Sequence, residues 1–171
     1  MPVTYKKIAS VTVTGATAAN IEFTSIPGTF TDIILFASLR SNHTTVGVGG
    51  RLTFNNSATG YSERLLYGNG SSAASANTSG AYIIWSADAN GTGSTASTFS
   101  NLEIYIPNYA GSTNKSISST SVVETNATAT TIYANAGLWS NTAAITSLKI
   151  IPDHGSYVQY STATLYGISK S

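Results

Sequence analysis

A period of two constrains this chain more than any other feature. Apolar and polar residues alternate in short blocks: Ile21 and Phe23 flank Glu22, Leu52 and Phe54 flank Thr53, and Leu102, Ile104 and Ile106 recur at every second position. Successive side chains of a strand point to opposite faces, so this spacing marks half-buried strands. Thr, Val, Ile and Tyr, which suit a pleated surface, fill the blocks. Helix-favouring Glu, Lys and Gln are scarce, and no segment shows a 3.6-residue period. The pattern predicts strands at 5–14, 20–26, 31–40, 51–55, 62–67, 81–86, 99–106, 115–124, 128–139, 144–151 and 157–168. Ile33-Ile34-Leu35-Phe36 is a continuous apolar run, as in a strand covered on both faces. Ile26-Pro27-Gly28-Thr29 is a turn, and Pro107 and Pro152 each close a strand because proline cannot donate to a ladder. Residues 68–80 and 87–95 are small and polar and are predicted to be exposed loops. Many short strands with Gly/Asn turns imply an all-β fold, an antiparallel double-sheet sandwich of jelly-roll type. There is no linker and no shift in composition, so residues 1–171 are expected to form a single domain.

Composition narrows the function more than it names it. Ser, Thr and Asn supply 63 of the 171 residues. Such chains can be solvated coils, but an apolar fraction of 42%, with 10 Tyr, 5 Phe and 2 Trp, is enough for a core. There is no cysteine, which excludes disulfides, thiol nucleophiles, iron–sulfur clusters and Cys-ligated zinc. Eight scattered basic residues against seven acidic ones leave no electrostatic footprint for nucleic acid. No apolar run reaches the ~20 residues of a membrane-spanning helix. The opening Met-Pro-Val-Thr-Tyr-Lys-Lys is not followed by the apolar stretch of a signal peptide.

Few residue constellations carry chemistry. The two histidines, His43 and His154, lie in predicted loops, and adjacent Asp153 and His154 cannot orient each other as a nucleophile's base requires. The acidic residues are spread singly and mostly at outward strand positions, so no carboxylate pair is expected. Asp88-Ala-Asn90-Gly91 only loosely resembles a calcium loop and lacks the rest of that spacing; a plain loop is the better reading. Gly47-Val-Gly49-Gly50 has no following helix to receive a phosphate. No cofactor is expected. Aromatic side chains give the one binding argument. Trp85 and Trp139 could stack on sugar rings, helped by Tyr105, Tyr109 and Tyr133, although core or interface burial is the commoner fate of Trp.

Several phrases carry a resemblance over about residues 5–168. They are Phe23-Thr-Ser-Ile-Pro-Gly-Thr-Phe-Thr-Asp-Ile-Ile-Leu, Tyr61-Ser-Glu-Arg-Leu-Leu-Tyr-Gly-Asn-Gly-Ser and Leu102-Glu-Ile-Tyr-Ile-Pro-Asn-Tyr-Ala-Gly-Ser-Thr-Asn-Lys, then Ala136-Gly-Leu-Trp-Ser-Asn-Thr-Ala-Ala-Ile-Thr-Ser-Leu and Thr164-Leu-Tyr-Gly-Ile. In this order they resemble small all-β virion proteins of tailed bacteriophages, common among phages of cyanobacteria. The resemblance implies a non-enzymatic virion surface protein, assembled in the host cytoplasm. It would be a head decoration (cement) protein bound to the major capsid protein or other virion proteins, or a tail-tip or fibre component that binds a host surface glycan. It transfers no catalytic residues. Such proteins are symmetric oligomers, and a homotrimer would suit a capsid three-fold site or a fibre tip. Ser and Thr blunt strand edges less well than Lys, so edge pairing between subunits is also expected.

Overall fold

The computed structural model describes residues 4–84, 86–126 and 130–169, and among them every regular element is a strand. In chain order they are β1 (Tyr5–Thr12), β2 (Thr17–Ala18), β3 (Ile21–Phe23), β4 (Asp32–Leu39), β5 (Gly47–Val48), β6 (Gly50–Phe54), β7 (Tyr61–Gly68), β8 (Ala73–Gly80), β9 (Ala89–Asn90), β10 (Ser100–Pro107), β11 (Lys115–Val123), β12 (Thr131–Trp139), β13 (Leu148–Pro152), β14 (Tyr157–Val158) and β15 (Thr162–Ile168). Ten of them have five residues or more. The strands build an antiparallel β-sandwich of unequal layers. One sheet has eight strands in the order β1-β15-β4-β10-β11-β12-β7-β8, and the opposing sheet has three, β3-β13-β6. At a strand spacing of about 4.8 Å the large sheet is roughly 34 Å wide. Two small pairs, β14-β2 and β5-β9, both bridge to the chain just past β4, at Ser41 and Arg40.

The alternation seen in the sequence decides which face is covered. On β10, Leu102, Ile104 and Ile106 turn inward and are buried, while Asn101 and Glu103 turn outward. Ile33, Leu35 and Leu39 of β4 and Leu165 of β15 join them from one layer; Ile21, Phe23, Leu52, Phe54, Leu148 and Ile150 meet them from the other. Each such side chain contributes about 1.5–3 kcal/mol by leaving water. At one end Trp139 stacks on Tyr61 (ring centroids 6.0 Å apart) and packs against Phe54 (5.6 Å). The Tyr61 hydroxyl in turn accepts a hydrogen bond from the Phe54 N–H at 2.8 Å.

Four local expectations change. Residues 73–80 are not a loop but the edge strand β8, paired with β7 in unbroken register from Tyr61↔Gly80 to Gly68↔Ala73. Its side chains are exposed apart from the half-buried Thr78, so hydrophobicity could not announce it; backbone pairing is what holds it. Residues 81–84, expected within a strand, join no ladder; their one backbone pairing is a bridge in which the Leu52 N–H donates to the Ile83 carbonyl at 2.8 Å. Residues 87–90, expected in an exposed loop, are buried, and Ala89–Asn90 pairs with Gly47–Val48. The expected strand at 157–168 is split into β14 and β15 by Tyr160, whose φ of 72° cannot continue a ladder.

Candidate functional surfaces

The aromatic candidates do not converge on one site. Trp139 and Tyr109 are core residues: Trp139 lies under the Tyr61 and Phe54 rings, and the fully buried Tyr109 donates its hydroxyl hydrogen to the Pro27 carbonyl. Neither can stack on an external sugar. Trp85 lies outside the described residues. Tyr105 stands on the outer face of the large sheet and donates to Asp32 Oδ2 at 2.9 Å. Tyr133 is half-buried on the inner face of β12, 5.8 Å from the Tyr67 ring.

What the sheet does assemble is an uncovered outer face with two apolar patches. Register places Ile34 of β4 between Tyr105 of β10 and Tyr166 of β15. Tyr166 makes edge contacts with Phe36 (6.1 Å) and Tyr5 (6.5 Å). Tyr5 and Phe36 remain 50% and 39% exposed. At the other end of the sheet Leu66 is 65% exposed, Ile132 51% and Leu138 37%. Shallow apolar grooves of about 500 and 560 Å³ flank Leu66. Between the patches runs a polar stripe of Asn101, Glu103, Ser116, Ser118 and Thr120, all exposed. Clustered exposed apolar side chains of this kind mark surfaces that another macromolecule covers.

Beneath the same sheet the inner face turns polar between β11 and β12. Ser119 pairs with Asn135, and Ser121 with Tyr133. Asn135 Nδ2 donates to Glu63 Oε2 at 2.7 Å and to the Ile84 carbonyl at 3.1 Å, and the Ile84 N–H donates to Glu63 Oε1 at 3.2 Å. Asp88 Oδ2 accepts from Ser121 Oγ at 2.6 Å, while its Oδ1 accepts no hydrogen bond of normal geometry. The acidic residues are therefore not all outward: Glu63 and Asp88 are both buried. Desolvation pushes the Glu63 carboxyl up to about 7 against the Asn135 and Ile84 hydrogen bonds. It pushes Asp88 to about 7 too, with the Ser121 hydroxyl and Gly50 amide opposing and the negative charge of Glu63 adding a little. Asp88 forms part of the wall of a cleft of about 390 Å³, with Asn69, Ser71, Thr130, Thr131 and Tyr133 among its other walls.

The weak calcium reading of residues 88–91 finds no ligand set. Asn90 Nδ2 donates to Thr98 Oγ1 (2.8 Å) and the Glu124 carbonyl (3.2 Å), and no group of three His, Asp or Glu side chains converges among the described residues. The two histidines, far apart in sequence, do meet: their rings stack at 5.1 Å near Asp153, whose Oδ1 is held by Arg51 Nε at 2.5 Å. Spacing could not foresee that contact, because it depends on the segments that follow β4 and β13 joining through the Ser41–Tyr157 bridge. No protein-family profile matches the chain, and no curated protein matches it.

Proposed function

We propose that this chain is a non-enzymatic structural protein of a bacteriophage virion, a decoration protein that binds the assembled head and stabilises it. The observation that carries the reading is the outer face of the eight-stranded sheet: broad, uncovered, and apolar at two places about the width of the polar stripe apart. A face of that breadth matches another protein surface and is too open to enclose a small substrate. A partner present only in the assembled particle would stabilise that state alone, by mass action. The resemblance to small all-β virion proteins supplies the particle. The test is co-sedimentation of the purified chain with undecorated heads and, in parallel, with host cells. The reading predicts pelleting with heads, abolished by Leu66→Lys with Ile132→Lys, which sit outside the core and leave the fold intact. Pelleting with cells alone would overturn it.

A second reading, a tail-tip or fibre protein that binds a host glycan, has its own support. The cleft beside Tyr133 and Tyr67 offers hydroxyl and amide groups next to aromatic rings, the mixture that sugars use. On that reading cells pellet the chain and Tyr133→Ala abolishes the effect.

A further inference from the structure

We infer that β8 pairs antiparallel with β8 of a second copy of this chain, about a two-fold axis at Ala76, joining two large sheets into one. The Asn69 N–H donates to the Ser72 carbonyl at 3.1 Å, which closes the turn with a hydrogen-bonded pair. Antiparallel pairs alternate between bonded and non-bonded, so Ala74, Ala76, Thr78 and Gly80 turn their backbone groups toward β7. Ala73, Ser75, Asn77 and Ser79 turn theirs outward, and among the described residues nothing bonds to them. The result is an open edge eight residues long, without a charge, a proline or a bulge.

The other edge of the same sheet is defended. β1 carries Lys6 and Lys7 and has a register break between Lys7 and Ala9, two devices that discourage a further strand. A pairing of β8 on β1 of another copy would have to cross that break, and would propagate as an open fibre. β8 on β8 closes. A two-fold axis normal to the sheet keeps outer face with outer face, and with Ala76 on the axis the outward residues match each other: Ala73 meets Ser79 of the partner subunit, and Ser75 meets Asn77 of the partner subunit. All the free N–H and C=O groups of the edge are then used. The axis falls on a non-bonded pair, where Cα atoms approach to about 4.5 Å and small side chains fit best; Ala76 is such a residue. Every residue of β8 except the half-buried Thr78 is already exposed, so nothing has to move to admit the partner.

One strand pair covers an area at the low end of specific interfaces, so the dimer should form in the micromolar range of chain concentration. The pairing holds independently of what the outer face binds. A homotrimer, the state expected from the sequence, would have to use other surfaces.

The absence of cysteine provides a clean test of register. Ala76→Cys should oxidise to a cross-linked pair of chains, because only that position meets itself across the axis. Ala74→Cys alone should not cross-link, whereas Ala74→Cys with Thr78→Cys should, since those two positions face each other. Light scattering of the wild-type chain should give the mass of two chains at high concentration. Ala76→Lys, which places two ammonium groups together, should give one chain with unchanged thermal midpoint. Cross-linking at Ala74 equal to that at Ala76 would overturn the inference, as would a one-chain mass throughout or a three-chain mass insensitive to Ala76→Lys.

Discussion

Asp88 and Glu63 are where single side chains weigh most on this fold. Each carboxyl holds its proton more tightly in the folded chain than in the unfolded one, where carboxyls titrate near 4. Between about pH 4 and 7 the folded state therefore binds more protons, and stability falls as pH rises through that window before levelling off. The expected loss from pH 5 to 8 is on the order of 5 kcal/mol for the two groups together, read from urea midpoints. Asp88→Asn should remove about half of the slope, because an amide there can still accept from Ser121 and carries no charge. A stability curve that rises from pH 5 to 8 would contradict this. Sequence alone could not find these two. Glu63 sits in Ser-Glu-Arg, which reads as solvated on either face, and Asp88 sits in a run of small polar residues that reads as a loop. Both become buried only because β7 pairs with β12 and because residues 87–90 turn inward against β5.

At the scale of elements, legibility followed contrast between the two faces of a strand. β3, β10 and β13 set apolar against polar positions and β4 is a continuous apolar run, so their positions follow from the sequence. In β11 both alternating sets are rich in Ser, so the strand was evident but its buried set, Lys115, Ile117, Ser119, Ser121 and Val123, was not. β8 has no apolar face to read. Residues 81–84 show the opposite failure: apolar enough for a strand, they are held by close packing and one bridge. The chain just after them packs as closely on β6: at Gly50 an added Cβ would stand 1.9 Å from the Ala87 carbonyl oxygen. Gly50→Ala should accordingly destabilise the fold by about 3 kcal/mol, since backbone cannot yield as a side chain can. A urea midpoint within error of wild type would show that the segment around Ala87 is not fixed against β6.

For the molecule as a whole, the unequal layers matter most. A three-stranded sheet can cover only the middle of an eight-stranded one, which leaves the inner face of β8 open at one end and the entire outer face free. The sandwich itself was readable from period and turn residues. The two outer patches were not, because they combine residues from β1, β4 and β15 in one case and β7 and β12 in the other, brought together by strand order. Of the aromatic residues singled out by type, Tyr105 stands on this face, Tyr133 lines the cleft, and Trp139 and Tyr109 belong to the core. The central claim is that this face clamps an assembled particle. Its most direct test is the survival of virions that lack the chain under heat and osmotic shock, with and without purified chain added back. The account predicts early loss of infectivity and of packaged genome, restored by the wild-type chain and not by the Leu66→Lys, Ile132→Lys variant. Virions that survive as well without the chain as with it would contradict it.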